Sequence, residues 1–246
     1  MDDRKLVQVL IDNGADVNKI NKYGDTPLRE AILWGSISSE RILLSNGADP
    51  NQENYTIPLF VWAFMRGSMK RLELLLDYNA DPNVKDENGL TPLMWLVSCN
   101  INEKNRIKNP KPRKTPLLLK WFKHRRQSPE ERSFSQRLHG VFSYSIYYLR
   151  NCIKAIKLLV DHGANINAQD NDGNTVLHLM HPNLKLLEVL IELGADVNLP
   201  NHVGKTPLDL LFQRKEELCR GNEALNACDK IIAFLREHGA VEGQPK

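Results

Sequence analysis

Side chains that bind anions are concentrated between residues 111 and 126. This basic cluster consists of Lys111, Arg113, Lys114, Lys120, Lys123, Arg125 and Arg126. Ammonium and guanidinium groups attract phosphates and carboxylates, and the rings of the nearby Trp121 and Phe122 are a type on which nucleic acid bases stack. Three partners are therefore open: an acidic protein, an anionic membrane surface and a nucleic acid. A fourth interpretation is a solvated face that offsets acidic charge elsewhere in the chain.

The sequence contains no pattern of residues typical of catalysis. It has no glycine-rich phosphate loop, no His-Glu-x-x-His, no Gly-x-Ser-x-Gly and no Cys/His spacing typical of zinc. Its seven histidines are scattered along the chain. We therefore expect a non-catalytic protein that uses no cofactor and no metal ion.

The composition is that of an ordinary globular protein, but the charge is uneven. Of 246 residues, 41% are hydrophobic and 26% are charged. Residues 99–150 hold 13 lysines and arginines against three acidic residues, whereas the rest of the chain holds 20 against 27. The sequence shows no apolar run long enough for a bilayer and no signal-peptide pattern at its start. We expect reduced cysteines and a cytoplasmic protein, with a nuclear location or secretion into a host cell as alternatives.

A short string recurs along the chain with a regular period. Copies of Asn-Gly-Ala-Asp-Val-Asn or close variants begin at Asn13, Asn46, His162 and Leu193, with a shorter copy at Asn79. Where no insertion intervenes, the copies follow one another at 31 to 33 residues. A period of this length is typical of stacked supersecondary units, none of which buries its apolar face alone.

A second landmark follows each string by about ten residues. Thr-Pro-Leu begins at Thr26, Thr91 and Thr206, and degenerate copies begin at Ile57 and Thr175. Threonine caps helices and proline suits the first helical turn, so each landmark predicts the start of a short inner helix. A turn, an outer helix ended by Gly or Asn, and a polar finger loop complete the unit.

In these motifs the sequence resembles the ankyrin repeat family, nearly everywhere outside residues 99–150. The resemblance implies an all-α solenoid of stacked helix-turn-helix units with finger loops. It also implies that the inner helices and finger loops form a concave surface that binds proteins. His178 falls at a family position that usually bonds to a neighbouring loop, which implies a structural role.

We expect a single ankyrin-repeat domain over residues 1–246. It would comprise a half-repeat at 2–18 and repeats at about 22–53, 54–86, 87–170, 171–201 and 202–246. Pro182 is expected to end the inner helix of the fourth repeat early, because proline removes a backbone donor and clashes with the preceding turn. The last repeat has extra residues near 214–224, and residues 243–246 are expected to be disordered.

The third repeat carries a basic helical insertion at residues 99–150, between its inner and outer helices. Apolar residues recur every three or four positions from Leu138 to Val160, so we expect the outer helix to begin well before Cys152 and as far back as Ser135. Together with a short amphipathic helix at 117–126, this predicts a helical hairpin that projects from the solenoid. The alternative is a degenerate extra repeat that begins at Thr115.

The resemblance assigns a partner-binding concave face to the inner helices. Counting from each Pro-Leu landmark, the positions that the family exposes hold the large apolar residues Leu33, Trp34, Val61, Phe64, Met65, Trp95 and Leu210. Aromatic and methionine side chains are enriched in protein interfaces, so we predict a groove for an apolar or amphipathic segment of a protein partner. The alternatives are a register that is wrong by one residue, or an insertion that folds back over these side chains.

The finger loops are predicted to form the rim of this groove. The rim candidates are Lys22, Tyr23, Lys85, Glu87, Asn171, His202 and Val203. The sequence thus predicts a monomeric protein-interaction module, either an adaptor or a bacterial effector that binds a host protein, with the basic insertion as a second contact. The rival hypothesis is that the insertion binds nucleic acid or acidic lipid.

Overall fold

A computed structural model of the chain describes residues 3–22, 24–34, 36–52, 59–65, 69–98, 145–180, 182–218 and 222–243. These residues form helices joined by turns and loops, without any strand among them. The helices are α1 (Asp3–Asp12), α2 (Pro27–Trp34), α3 (Ile37–Ser45), α4 (Leu59–Met65), α5 (Met69–Asp77), α6 (Pro92–Ser98), α7 (Ser145–Asp161), α8 (Val176–Leu179), α9 (Leu184–Glu192), α10 (Pro207–Leu218) and α11 (Asn222–Glu237).

The helices follow the predicted order of inner and outer helices. Helix α1 is the outer helix of the half-repeat, and the pairs α2 and α3, α4 and α5, α6 and α7, α8 and α9, and α10 and α11 form the five repeats. The landmark threonines Thr26, Thr91, Thr175 and Thr206 are all buried. The Thr26 hydroxyl accepts a hydrogen bond from the Arg29 N–H at 3.2 Å, as expected for a helix cap. The all-α helix-turn-helix architecture is therefore confirmed.

The described residues fall into two compact units. The first contains Met1–Leu93 and Ala155–Asn171, and the second contains Met94–Lys154 and Asp172–Lys246. Within the first unit, α1 packs on α3, α2 packs on α3 and α4, and α4 packs on α5. Within the second unit, α10 packs on α8 and α11, and α9 packs on α11. A single domain over residues 1–246 stays a prediction.

Asparagines at the end of the recurring string link one repeat to the next. The side-chain NH₂ of each donates to a backbone carbonyl of the following repeat at 2.9 Å. The side-chain oxygen of the same asparagine accepts the backbone N–H of the residue two positions after that carbonyl, at 2.6–2.8 Å. The carbonyl and N–H partners are Gly47 and Asp49 for Asn18, Asn79 and Asp81 for Asn51, Gly163 and Asn165 for Asn83, and Gly239 and Val241 for Asn198. These bonds satisfy loop backbone groups and explain why the string recurs.

Three deviations from a regular repeat can be compared with their predictions. Helix α8 has only four residues and ends at Leu179, three positions before Pro182, which confirms that the fourth inner helix ends early. Helix α7 begins at Ser145, seven residues before Cys152, whereas the predicted start as far back as Ser135 lies outside the described residues. Much of the extra length in the last repeat is helical, since α10 runs to Leu218 and α11 begins at Asn222. The predicted hairpin and the basic cluster lie outside the described residues.

Candidate protein-binding surface

Two neighbouring finger loops of the first unit are braced against each other. The backbone N–H of Asn171 donates to the carbonyl of Asn88 at 3.0 Å, and its side-chain amide donates to the carbonyl of Glu87 at 2.9 Å. The Lys85 ammonium group donates to the carbonyl of Gln169, also at 2.9 Å. These contacts use the backbone of both loops, so the relative position of the two fingertips is fixed.

The close approach of these loops requires a glycine at position 89. Gly89 has φ +76°, and a Cβ built there would lie 2.5 Å from Asn171 Oδ1 and 2.8 Å from the Asn171 nitrogen. The nearby Asp86 is buried, and its carboxylate accepts the N–H groups of Asn88 and Leu90 at 2.8 Å each. The carboxylate therefore holds the loop in the conformation that brings Gly89 against Asn171.

A second pair of finger loops, in the second unit, has the same construction. The backbone N–H of His202 donates to the carbonyl of Asp172 at 3.0 Å. Gly173 has φ +78°, and a Cβ there would lie 2.6 Å from the His202 nitrogen. In the loop of His202, the side-chain oxygen of Asn201 accepts the N–H groups of Val203 and Lys205, a local bonding pattern like that of Asp86 in its own loop.

The predicted rim residues are exposed wherever the structure describes them. These are Lys22, Lys85, Glu87, Asn171, His202 and Val203, whereas Tyr23 lies outside the described residues. Two of them, Lys85 and Asn171, also brace the loops. Val203 is 68% exposed, which makes it the most exposed large apolar side chain in the described part of the chain. The rim therefore presents polar and apolar side chains on a fixed backbone.

Four residues of the predicted groove are buried instead of exposed. The exposed fractions are 8% for Leu33, 3% for Val61, 8% for Phe64 and 4% for Trp95. The physical reason is clearest in α4 and α6, which are apolar around their whole circumference; every residue of 59–64 and of 92–97 is buried. Because helices of this kind are core elements, the predicted exposure is wrong for these four residues, which belong to the core.

Three groove candidates remain after this correction. Leu210 is half-buried and lines a small apolar pocket between α8, α9, α10 and α11. With a volume of about 20 Å³, this pocket has room for one water molecule and not for a ligand. The side chains of Trp34 and Met65 lie outside the described part of the structure.

His178 has a structural role, as the resemblance implied. It is 2% exposed, and its Nδ1 accepts the N–H of Thr175 at 3.0 Å. Its Nε2 lies 3.0 Å from the carbonyl oxygen of Lys205, and since Nδ1 is an acceptor, Nε2 carries the proton and donates. Both nitrogens are thus engaged within the protein, and the imidazole connects the fourth repeat to the next finger loop.

Asp209 replaces this histidine in the last repeat. Its Oδ2 accepts the backbone N–H of Thr206 at 2.8 Å and that of Gly243 at 2.9 Å. Burial by itself raises the pKa of Asp209, but these hydrogen bonds, with smaller contributions from the Thr206 hydroxyl and the Lys205 charge, lower it below its usual value. Gly243 is therefore held by α10, and the expectation of disorder is wrong for that residue.

A buried ion pair in the first unit was not predicted from the sequence. Glu40 on α3 and Arg71 on α5 have side chains that are 1% and 10% exposed, and Arg71 Nε lies 3.0 Å from a Glu40 oxygen. Arg71 also donates to the carbonyl of Ile32 on α2 at 2.8 Å. The guanidinium group therefore joins three helices from two successive repeats.

The described residues contain no group of three or more His, Cys, Asp or Glu side chains arranged to hold a metal ion. In the same part of the chain, no helix has the length and apolar character needed to cross a membrane. Cys152 is buried, and its sulfur lies 3.5 Å from the carbonyl oxygen of Leu96. Cys228 is disulfide-bonded, so the expectation of reduced cysteines is wrong at that position.

The helix order and the loop contacts are those of a repeat protein whose neighbouring loops are bonded to one another. Comparison with family models identifies the family of these repeats. Models of ankyrin repeats match residues 60–104 with 143–179 and residues 2–54, and a model of the single ankyrin repeat matches residues 172–202. Together the matches cover more than half of the chain, which therefore belongs to the ankyrin repeat family. Ankyrin repeats are generally protein–protein interaction modules and are typically non-catalytic.

Similar curated proteins carry the same repeats within much longer chains. The chain is 39% identical over 101 residues to ankyrin repeat, SAM and basic leucine zipper domain-containing protein 1 from Neofelis nebulosa and to the same protein from Carollia perspicillata. It is 38% identical over 101 residues to the protein from Oryctolagus cuniculus. Each match covers 39% of this chain and 21% of the relative, so the chain spans about a fifth of the length of these relatives.

Proposed function

We propose that this chain binds a protein partner along its finger loops and acts without catalysis. The observation that carries the proposal is the bracing of the loops, in which backbone atoms hold neighbouring fingertips together while side chains such as Glu87, His202 and Val203 face solvent. A surface that is already ordered loses less conformational entropy when a partner docks. The braced rim is therefore suited to specific binding.

The partner proposed for this rim has an apolar or amphipathic segment. Val203 supplies an exposed apolar contact, and Leu210 is a groove position that is only half-buried, while Trp34 and Met65 stay predictions from the sequence. The relatives' names combine ankyrin repeats with two further domains, which favours an adaptor over a bacterial effector.

We place the protein in the cytoplasm, and the Cys228 disulfide is the observation against that location. Alkylation of free thiols inside intact cells, followed by mass spectrometry, decides whether Cys228 is oxidised there.

Val203→Glu is expected to weaken partner binding by about tenfold or more, because an interface charge without a partner loses its hydration. The matched control is Ala233→Glu, which adds the same carboxylate at an exposed position of the outer helix α11. A partner is first captured from nuclease-treated lysate with the unmodified chain, and its affinity for the three proteins is then measured by calorimetry. Equal affinity for both variants would reject binding at the rim.

The basic insertion is proposed as a second contact, because residues 99–150 are basic in an otherwise acidic chain. Replacing residues 101–144 with a short Gly-Ser linker leaves α7 intact and removes the basic cluster. For the full chain we expect affinity to fall steeply with salt, and for the shortened chain we expect weaker binding with little salt dependence. The same comparison with an oligonucleotide and with anionic vesicles tests the rival hypothesis. If shortening changes neither the affinity nor its salt dependence for any probe, the insertion is not a contact.

A further inference from the structure

One side of α1 exposes apolar residues in the first unit. Leu6 is 46% exposed, Val9 is 54% exposed and Leu10 is 52% exposed. Val9 and Leu10 lie three and four positions after Leu6, so all three residues lie on one side of the helix. The opposite side contains the half-buried Val7 and Ile11, and α1 packs on α3. The exposed side is called the α1 face below.

The corresponding positions of the other outer helices are buried. When the repeats are aligned on the glycine or asparagine that ends the outer helix, Leu10 matches leucines that are only 0 to 5% exposed: Leu43, Leu75, Leu159, Leu190 and Leu235. Leu6 matches residues that are 0 to 9% exposed: Ser39, Arg71, Ala155, Leu186 and Ile231. The α1 face therefore has the composition of a helix contact that other repeats bury against their own helices.

Charged residues beside the α1 face are arranged so that the face can pair with itself. Lys5 and Asp12 are both exposed, and they are seven residues apart, which places them within about 20° of each other around the helix. Two copies of α1 packed antiparallel would bring Lys5 of each copy beside Asp12 of the other. A shift of one residue, about 1.5 Å along the axis, places Leu6 of one copy opposite Leu10 of the other, so the apolar and the charged contacts form in registers that differ by this one step.

We propose that this chain forms a weak symmetric dimer through antiparallel packing of the α1 face on that of a second copy. This replaces the expectation of a monomer. The helix has ten residues and is about 15 Å long, so the contact is smaller than the roughly 800 Å² per partner of a stable interface. Association is therefore concentration-dependent and depends on both the leucines and the Lys5–Asp12 pairs.

The first test is sedimentation equilibrium of the full chain in reducing buffer over a wide concentration range. The average mass is expected to rise toward twice the monomer mass, and Leu10→Glu is expected to weaken association by roughly tenfold or more, since it buries an unpaired charge. Ala233→Glu is the matched control, because it adds a carboxylate to an exposed position of α11. A constant monomer mass for the unmodified chain, or equal association of Leu10→Glu and the control, overturns the proposal.

The second test exchanges the charges. Lys5→Glu and Asp12→Lys each place like charges together in the dimer, so each variant alone is expected to associate less than the unmodified chain. A mixture of the two restores both opposite-charge pairs and is expected to restore association. Both substitutions suit the helix dipole, since they put an acid near the start of α1 and a base near its end, so loss of helix does not explain a decrease. A mixture that associates no better than its components excludes the antiparallel arrangement.

Discussion

Glu40→Ala is expected to lower the free energy of unfolding by about 3–5 kcal/mol, because it leaves the Arg71 guanidinium buried without its carboxylate. Arg71 is 9% exposed and is fixed in place by its hydrogen bond to the carbonyl of Ile32. The side chain is only 10% exposed, so water solvates the charge poorly once the carboxylate is removed. Urea unfolding followed by circular dichroism measures the loss.

Two further variants separate the ion pair from other effects of the substitution. Glu73→Ala removes an exposed carboxylate from α5 and is expected to change stability by less than about 0.5 kcal/mol. Glu40→Leu combined with Arg71→Met removes both charges and is expected to recover most of the stability, because apolar groups of similar volume replace a buried ion pair at little cost. A single Glu40→Ala variant as stable as the Glu73→Ala control would show that the pair is not important for the fold.

The repeats were predictable from the sequence because each landmark performs a local task. The threonine at Thr26 caps a helix and the asparagine at Asn51 bonds to the next loop, so the residue types alone indicate the structure. The Glu40–Arg71 pair was not predictable in this way. Neither residue belongs to the recurring string, and their contact depends on how α3 and α5 pack together. An arginine at a position that holds Ala155 or Leu186 in other repeats was the available signal.

The groove was mispredicted because exposure was inferred from family position alone. Family position puts Val61 and Phe64 on a solvated face, although α4 carries apolar residues on every side and has no polar face to turn to water. The described rim residues are exposed, since polar finger loops have few apolar side chains to bury, and their contact with a partner stays a prediction. For the α1 face the residue types indicate burial, whereas the structure shows exposure. Leu6 and Leu10 match core positions of other repeats, and only burial shows that they are uncovered.

Gly89→Ala is expected to lower the stability of the protein and to loosen the contact between the two finger loops. It therefore tests how these loops are held together. The substitution adds a left-handed backbone strain of about 1–2 kcal/mol and a methyl group 2.8 Å from the backbone nitrogen of Asn171. Gly163→Ala is the matched control in the same unit. Gly163 also has a left-handed φ, +90°, but nothing lies within 4 Å of a Cβ built there, so only the strain applies.

The two alanine variants therefore differ by the clash alone. We expect Gly89→Ala to be less stable than Gly163→Ala by about 1–3 kcal/mol, the usual cost of forcing an extra methyl group into a packed contact. Because the displaced atom is the nitrogen that donates to the Asn88 carbonyl, hydrogen exchange of the Asn171 amide is expected to accelerate in Gly89→Ala and to stay unchanged in Gly163→Ala. Partner binding at the rim should weaken in the same order, since the bracing would be lost while the exposed side chains remain. Equal stability and equal exchange in the two variants would mean that the fingers are not held by this contact, and the preorganisation argued for the rim would lose its structural basis.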